Sequence, residues 1–391
     1  MSEQRPIGSF ANQVKRINEA CISKADVYSV TKYDGFVRSL DYFKKQVFSR
    51  DLSSYKIVKR GEFAYSTIHL DEGALGLLGD EEALISPMYT TFEVDESIDK
   101  IYLYYLLRSP ELVSQYGLIG QGSVNRRKSV PFSSLAEIEV FAPPLPEQKK
   151  IAEILSGIDR NITIHLDMLQ KLKVIHSGIF CEITKMKERA NHVPLGQIIS
   201  EITSGWSPTC SPATRTGERP AILKTTSITW EGYNPGENKI LPAELQVKEE
   251  AVVRAGDILC TRKGPRERVG VVCYVEDTPP NLMIPDTAFR MRVNKGINPH
   301  FVSLVLSGQE IQEEWNRKKV GLAEAQVNIN HGIINKTLIP IVPIEDQVRL
   351  TNAISGTRSA IRLQTAKINA LRITKDALAA DLLSGRKRVS V

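Results

Sequence analysis

The feature that most constrains the fold of this chain is a stretch that occurs twice. The segment APPLPEQKKIAEILSGID at 142–159 returns as IVPIEDQVRLTNAISGTR at 341–358. In this alignment Gln148 matches Gln347, and a proline just before each of them marks the start of a helix. Such a repeat predicts a chain that is built as two copies of one unit.

Three further blocks match in the same order along the chain. VKRGEFAYS aligns with VRAGDILCT, which pairs Gly61-Glu62 with Gly256-Asp257. The other two pairs are RPIGSFANQVKRI with VPLGQIISEITSG, and YLLRSPELV with LVLSGQEIQ. We therefore expect two similar halves, about 5–190 and 193–391, each with a mixed α/β part followed by a long helix.

The long helix predicted at the end of each half carries the pattern of a coiled coil, in which apolar residues recur at alternating steps of four and three. The apolar positions of this seam are Ile151, Leu155, Ile158, Ile162, Leu169 and Leu172 in the first helix, and Leu350, Ile354, Ile361, Ile368 and Leu371 in the second. Polar residues also occupy the seam and limit its register, namely His165, His176, Thr357, Gln364 and Lys375. We expect the two helices to pack as an antiparallel coiled coil; the alternative is that each packs only on its own globular part.

Composition limits the classes of function. The chain has 391 residues, of which 42% are hydrophobic, and two or three globular domains are expected from this length. A net charge of +6 is compatible with an anionic partner. Its five cysteines are scattered without a C-x-x-C pair, and we find neither a signal peptide nor an apolar run of about 18 residues. We expect a cytoplasmic protein.

Local patterns predict the elements of the globular parts. Residues 251–260 and 269–275 are β-branched and bounded by glycine and proline, which predicts strands. Residues 101–116 and 299–317 each predict one surface helix, and 203–220 predicts a long exposed loop because it is rich in Gly, Pro, Ser and Thr. The fold class is therefore α+β.

Three polar clusters have the side chains that nucleic-acid interfaces use. Arginine binds guanine O6 and N7, lysine and arginine bind phosphates, and glutamine and asparagine pair with adenine. The candidates are Arg126, Arg127 and Lys128 in GQGSVNRRKSV, Arg262, Lys263, Arg266 and Arg268 in the turn TRKGPRERVG, and Gln326 and Asn328 in GLAEAQVNINH. An ordinary solvated loop is the alternative for each cluster. Trp206 and Trp230 could stack on DNA, but tryptophans in domains of this size are more often core residues.

The sequence lacks the catalytic motifs that we sought. EDTPPNL, at 276–282, has Thr278 before its prolines and Asn281 after them, so it does not match the motif of an adenine amino-methyltransferase. There is no G-x-x-x-x-G-K-[ST] phosphate loop, and the six histidines show no i, i+4 pair suited to a metal. We expect a non-catalytic chain that holds no metal and no cofactor.

PPLPEQKKIAEIL, its second copy VPIEDQVRLTNAI and the G-D-I-L-x-T-R of 256–262 resemble the specificity (S) subunit of Type I restriction–modification enzymes. The second copy departs from the pattern, because Glu345-Asp346 replaces the second proline and the glutamate. The resemblance implies two DNA target-recognition domains, at 1–143 and 191–342, and two long spacer and docking helices, at 144–190 and 343–391. The whole would be a pseudo-twofold repeat.

The resemblance also implies the partners. Each recognition domain would read one half of a bipartite, asymmetric double-stranded DNA target, and the helices would set the gap between the halves. Two methyltransferase subunits would use S-adenosylmethionine, and a restriction and translocase subunit would use ATP and Mg²⁺. The alternative is a coiled-coil scaffold that recruits partner proteins without reading DNA.

Overall fold

The computed structural model describes residues 4–120, 129–210, 213–323 and 326–390. The chain forms two compact units, of which the first comprises 1–168 with 364–391 and the second comprises 169–363. Both units contain strands and helices, so the mixed α/β class predicted from the sequence is confirmed. Within the described residues, we find no helix that is both long enough and apolar enough to cross a membrane.

Unit 1 is built mainly from short strands. Its strands are β1 (Gln4–Pro6), β2 (Ala11–Val14), β3 (Val27–Thr31), β4 (Gly35–Arg38), β5 (Lys56–Lys59), β6 (Phe63–Ser66), β7 (Leu75–Leu77), β8 (Glu82–Ile85), β9 (Tyr89–Val94) and β10 (Glu139–Phe141). Its short helices are α1 (Ser39–Phe43), α2 (Lys100–Leu107), α3 (Pro110–Ile119) and α4 (Phe132–Ala136). The first long helix, α5 (Leu145–Arg189), begins here.

Two four-stranded sheets, with orders β2-β9-β6-β7 and β4-β3-β8-β5, form the globular part of unit 1. Their pairings are antiparallel except for that of β3 with β8. The main core is aromatic: Phe63 stacks on Phe92 with ring centroids 4.9 Å apart, and Tyr102 is fully buried among apolar neighbours. Strands β1 and β10 pair antiparallel and bring the start of the unit to the segment that precedes α5.

Unit 2 has more strands and the same kinds of helix. Its strands are β11 (Asn191–Pro194), β12 (Ile199–Ser204), β13 (Ala221–Leu223), β14 (Ile228–Thr229), β15 (Gly232–Tyr233), β16 (Asn238–Ile240), β17 (Ile258–Thr261), β18 (Lys263–Gly264), β19 (Val272–Tyr274), β20 (Leu282–Met283), β21 (Ala288–Val293), β22 (Val320–Ala323), β23 (Gln326–Asn328) and β24 (Leu338–Ile341). Its helices are α6 (Pro299–Leu306), α7 (Gln309–Lys318) and α8 (His331–Lys336), and the second long helix α9 (Ile344–Leu383) begins here.

The sheets of unit 2 have the orders β12-β21-β17-β19, β16-β13-β20 and β18-β23-β22, together with a β14-β15 hairpin. Strands β11 and β24 pair antiparallel just before α9, as β1 and β10 do before α5. Trp315 is fully buried, and its indole N–H donates to Thr337 Oγ1 at 2.8 Å. A separate apolar core lies around Ile222 and Met283.

The repeated glycine–acid dipeptide forms a turn in each unit. Gly61 and Gly256 adopt φ of +79° and +94°, which only glycine reaches without strain. The acid that follows accepts a hydrogen bond from the backbone N–H three residues before it: Glu62 Oε2 from Lys59 at 2.9 Å, and Asp257 Oδ2 from Arg254 at 2.7 Å. This turn interrupts the long strand predicted over 251–260, so β17 begins only at Ile258.

The two surface helices predicted from the sequence are each broken in two, so those predictions were wrong. Between α2 and α3, Ser109 caps the second helix and Pro110 is its first residue, because proline has no N–H to donate to the preceding turn. Between α6 and α7 the break falls at Ser307-Gly308. Helix α6 is also a core element, since its residues from Phe301 to Leu306 are all buried.

The starts of the two long helices are held by the same pair of hydrogen bonds. In unit 1 the Gln148 amide accepts from the backbone N–H of Asp99 at 2.7 Å and donates to the carbonyl of Pro143 at 2.7 Å. In unit 2 Gln347 accepts from the N–H of Asn298 at 2.9 Å and donates to the carbonyl of Val342 at 2.8 Å. Both glutamines are buried, so each repeated Gln ties its helix to the globular part.

Within unit 1, the first part of α5 lies antiparallel to the last part of α9. Glu147 accepts a hydrogen bond from Arg388, and Asp159 accepts one from the ammonium of Lys375 at 2.7 Å. Nδ1 of His165 lies 2.8 Å from Gln364 Oε1. The partner number falls as the first number rises, which defines the antiparallel direction. Of the apolar seam positions here, Ile151, Leu155, Ile162 and Ile368 are buried, while Ile158 and Leu371 are partly buried.

Within unit 2, the same direction holds between the last part of α5 and the first part of α9. His176 Nδ1 lies 2.8 Å from Thr357 Oγ1, and Arg349 forms an ion pair with Glu182 at 3.0 Å. The apolar seam positions Leu350 and Ile354 are buried, and Leu169, Leu172 and Ile361 are partly buried. Around Leu169 and Leu172 the other positions of α5 are exposed, so this seam is the face of the helix that packs.

Candidate nucleic-acid interface

The first cluster predicted to bind DNA, Arg126, Arg127 and Lys128, lies outside the described residues. The residues that follow it are described. The backbone N–H of Val130 donates to the carbonyl of Thr67, just after β6, at 2.9 Å. In unit 2 the N–H of Ile329 donates in the same way to the carbonyl of Arg262, just after β17, at 2.9 Å. The segment after each candidate cluster is therefore joined to the end of the equivalent strand.

In unit 2 the two other clusters meet in one small sheet. Strand β18 pairs antiparallel with β23, so that Lys263 lies opposite Asn328 and Gly264 lies opposite Val327. Strand β22 pairs with the other edge of β23 and completes three strands. Residues that are far apart in the sequence thus form one surface, with Gln326 exposed at the start of the central strand.

Lys263 is the accessible cation of this sheet. Its side chain is 45% exposed, and its ammonium lies 3.6 Å from the carboxylate of Asp286, which is similarly exposed. An exposed pair of this kind contributes only about 0–1 kcal/mol, so the lysine is available to a phosphate at little cost. Asp286 also accepts a hydrogen bond from Ser207 Oγ at 2.6 Å.

Arg262 and Asn328 carry polar atoms without partners. Arg262 Nε and Asn328 Oδ1 are both buried, and neither has a hydrogen-bond partner among the described residues. The Arg262 guanidinium lies 4.7 Å from the ring centroid of Phe289, which contacts His331. Burial and then the charge of Arg262 lower the pKa of His331. A buried polar group without a partner costs about 1–3 kcal/mol, and such groups call for an explanation in a folded protein.

The other two arginines of the turn donate hydrogen bonds to backbone carbonyls. Arg268 Nη2 donates to the carbonyls of Thr225 and Ile228, both at 3.0 Å, and Arg266 Nη1 donates to the carbonyl of Asn316 at 3.2 Å. Thr261, which is buried, donates to the carbonyl of Arg268 and accepts from the N–H of Val271 at 2.9 Å. Arg268 therefore fixes the shape of the turn, and removing it would disturb the fold as well as the charge.

Three residues that were not predicted from the sequence lie near this surface. Lys319 Nζ donates to the carbonyl of Arg266 at 2.9 Å, Asp286 faces Lys263, and His331 contacts Phe289. Asp286 and His331 belong to no charged cluster in the sequence, and Lys319 ends the short basic run Arg317-Lys318-Lys319, which the predicted clusters did not include. Only the pairing of β18 with β23 shows that they lie near the predicted residues.

The chemistry of this surface suits a polyanion that also presents base edges. It combines an exposed ammonium, an exposed amide and an amide oxygen without a partner on paired strands. Amides can pair with adenine and cations with phosphate.

Comparisons with known proteins point in the same direction. Residues 75–174 match the family described as Type I restriction modification DNA specificity domain. The chain is 35% identical over 191 residues to the Type I restriction enzyme EcoEI specificity subunit of Escherichia coli, a match that spans 47% of this chain and 32% of that protein. It is 25% identical to the putative Type I restriction enzyme MjaX specificity subunit of Methanocaldococcus jannaschii, over 94% of this chain and 87% of that protein.

A solved structure shares the fold. The S subunit of a Type I restriction–modification system from M. genitalium superimposes with a TM-score of 0.59 and 14% sequence identity, covering 97% of this chain and 95% of that chain. Together with the sequence relatives, this likeness confirms the resemblance of the chain to the specificity subunits of Type I restriction–modification enzymes.

Proposed function

We propose that this chain is the DNA-recognition subunit of a Type I restriction–modification complex. The observation that carries the proposal is the ladder between β18 and β23, which places Lys263 opposite Asn328 and beside an exposed Gln326. Three side chains with DNA-binding chemistry thus share one surface, in a chain that resembles specificity subunits. The subunit selects the DNA sequence, and partner subunits catalyse the reactions on it.

The target would be bipartite and asymmetric. We assign one recognition domain to 1–143 and the other to 191–342, each reading one half of the target. The two globular parts share their closing strand pair, their glycine–acid turn and their buried glutamine, which supports an internal repeat. Their other residues differ, so the two half-sites need not be related in sequence. Arg126, Arg127 and Lys128 are proposed to contact DNA in the first half.

The long helices, 144–190 and 343–391, would form an antiparallel coiled coil that sets the gap between half-sites. The antiparallel contacts within each unit and the burial of the seam positions support this role. At about 1.5 Å per residue, the 40 residues of α9 extend for roughly 60 Å. This length is more than one turn of DNA, which is ~34 Å.

The same helices would dock two methyltransferase subunits. Both helices carry large apolar side chains that are at least 40% exposed: Ile164, Leu166, Met168 and Ile373 in unit 1, and Val174, Ile175 and Leu363 in unit 2. Clusters of exposed apolar side chains are typical of sites for protein partners. We propose that these partners use S-adenosylmethionine to modify adenine, and that a further subunit uses ATP and Mg²⁺ to translocate and cut DNA.

A cytoplasmic location follows from this role. The five cysteines are all free thiols, as expected in a reducing compartment. The chain itself would carry no catalytic site.

The decisive experiment is to express this chain with its neighbouring methyltransferase subunit in a host without DNA methylation. Modified adenines are then mapped over the whole genome by single-molecule sequencing. We expect an interrupted, asymmetric motif with one modified adenine in each half. A continuous motif would contradict reading by two domains, and the absence of modification by a soluble, associated complex would favour a scaffold that does not read DNA.

The salt dependence of DNA affinity distinguishes a DNA-recognition subunit from a scaffold that does not bind DNA. Binding through phosphate contacts releases counterions, so the logarithm of the affinity falls steeply with the logarithm of the salt concentration. We expect a steep negative slope for the complex on its own target. The scaffold alternative predicts no such dependence.

A further inference from the structure

Unit 2 contains a cavity of about 550 Å³ that lies away from the sheet of β18, β22 and β23. Its walls come from the β14–β15 hairpin, strand β19, helix α6 and the parts of α5 and α9 that belong to unit 2. Binding cavities for small molecules have volumes of about 300–1,000 Å³ and combine apolar walls with a few polar groups. This cavity is large enough for a mononucleotide.

A half-buried cation without an ion pair among the described residues lines the cavity. Arg358 of α9 is half-buried, and among the residues that the structure describes, none forms a hydrogen bond or an ion pair with its guanidinium. Burial and then the nearby charge of Arg362 lower the pKa of Arg358. Arg362 itself donates to the carbonyl of Glu231 at 2.8 Å. The charge of Glu231, which also lines the cavity, acts on Arg358 in the opposite direction, but no described carboxylate forms an ion pair with it. A partly desolvated guanidinium without such an ion pair is suited to bind an oxyanion, because its planar fork matches two oxygens of a phosphate.

Two histidines beside Arg358 are neutral hydrogen-bonding groups at neutral pH. Burial and then Arg358 lower the pKa of His300 to about 4, and the same two causes, in the same order, lower that of His176. Nδ1 of His176 lies 2.8 Å from Thr357 Oγ1, which leaves Nε2 for another partner. Neutral imidazoles can donate or accept a hydrogen bond, while the positive charge for an anion comes from Arg358.

The walls supply flat aromatic surfaces. His300 stacks on Tyr274 with ring centroids 4.7 Å apart and an interplanar angle of 6°, and Trp230 is 45% exposed at the tip of the hairpin. Stacking of a base on an aromatic side chain contributes about 1–3 kcal/mol. The carboxylates of Glu276 and Asp277 are exposed at the rim. These carboxylates would accept hydrogen bonds from an exocyclic amino group of a base. Their negative charge would repel a longer polyphosphate.

We propose that this cavity binds an amino-purine nucleoside monophosphate, with its phosphate on Arg358 and its base against the aromatic walls. The site is independent of the DNA-recognition role, since it uses no residue of the β18–β23 ladder. Its combination of one guanidinium without an ion pair, flat rings and an acidic rim favours a monophosphate over a triphosphate.

The test is isothermal titration of the full chain with AMP, adenosine and inorganic phosphate as separate probes. We expect AMP to bind at least about tenfold more tightly than either fragment, because the two subsites act together. Arg358→Gln should weaken AMP at least about tenfold, whereas Arg372→Gln, an exposed arginine further along α9, should leave it unchanged. Absence of heat with AMP in the folded wild-type protein would overturn the proposal.

Further measurements distinguish a nucleotide site from a simple anion site and from a part of the DNA-binding surface. Quenching of Trp230 fluorescence by AMP, lost in Trp230→Phe, would support stacking and does not depend on Arg358. Binding of phosphate as tight as that of AMP would reduce the site to an anion site and overturn the nucleotide assignment. Displacement of AMP by target DNA would likewise overturn it, because the cavity would then belong to the DNA-binding surface. Thermal unfolding of each variant establishes that it is folded.

Discussion

Arg388 binds Glu147 through two hydrogen bonds, Nε to Oε1 at 2.8 Å and Nη2 to Oε2 at 2.6 Å. Glu147 is the acid of the repeated proline-glutamine stretch, and it is only 4% exposed. Its Oε1 also accepts from the N–H of Val389 at 3.3 Å. The last residues of the chain therefore close onto the start of α5 within unit 1. The hydrogen bonds from Arg388 lower the pKa of Glu147, although burial opposes them.

Replacing this arginine should destabilise unit 1. Arg388→Ala leaves the carboxylate of Glu147 buried without its main donor, and breaking such a pair costs about 1–3 kcal/mol when one partner is half-exposed, as Arg388 is. Urea unfolding measures the loss. Arg386→Ala is the matched control, because Arg386 pairs with Asp381 at the surface. Equal stability of the two variants would contradict a structural role for the Glu147 pair.

The same pair should contribute to acid sensitivity. Glu147 has a lowered pKa in the folded state, so its contribution to stability is present above the pKa of the unfolded chain and is lost as pH falls through the folded value. Arg388→Ala should therefore narrow the difference in stability between neutral and acidic pH.

The two buried glutamines should act on their own units. Gln148→Leu removes the acceptor of the Asp99 N–H, and Gln347→Leu removes that of the Asn298 N–H. Each unsatisfied buried donor costs about 1–3 kcal/mol, so exchange of that amide should accelerate about 5- to 150-fold. Hydrogen exchange resolved by residue checks this, and each variant is the control for the other. Faster exchange at both amides in one variant would show that the two contacts are not independent.

Removing the accessible charge of the turn should weaken DNA binding to all sequences alike. The double variant Lys263→Gln and Arg266→Gln should flatten the salt slope by about 1–2, since each phosphate contact contributes about one unit. Arg266 is included because the contact of its guanidinium with the carbonyl of Asn316 is exposed, whereas Arg268 is left in place because it holds the part-buried carbonyls of Thr225 and Ile228. Lys295→Gln, in an exposed loop of unit 2, is the control. An unchanged slope in the double variant would show that the turn is a solvated tip.

Substitution of the amides should change sequence preference in one half of the target. Asn328→Ala and Gln326→Ala should relax discrimination at one or two base pairs by about 1–3 kcal/mol each. Mapping of modified adenines measures the altered motif, and the half-site read by unit 1 is the internal control. Loss of modification at every site, rather than a relaxed motif, would indicate that these residues serve folding.

The free energy of unfolding should decrease as the pH is lowered from 6.5 to 4, because His300 is buried as a neutral ring. Its pKa is lowered from 6.5 to about 4, by burial and then by Arg358, so below 6.5 the unfolded chain binds a proton that the folded chain does not. This difference corresponds to about 2–3 kcal/mol across the interval. His300→Phe keeps an aromatic ring beside Tyr274 and should lose less stability on acidification. His192→Gln, at an exposed position, should behave as wild type in the same unfolding series.

Features that depend on neighbours along the chain were predictable before the fold was known. The helical period identified the packed face of α5 and α9, because residues three and four apart lie on one side of a helix. Gln148 and Gln347 were found as a repeat, and the glycine–acid turn was found by alignment. The local rules failed where a single break decides the element: Pro110 and Gly308 each divide one predicted helix into two.

The contacts between residues that are distant in the chain could be seen only in the folded protein. The ladder that places Lys263 opposite Asn328, the closure of Arg388 onto Glu147 and the cavity around Arg358 each join segments far apart in the chain. Local propensity contains no term for such contacts. They form because pairing strands and burying two helical faces satisfies backbone and apolar groups that no segment can satisfy alone.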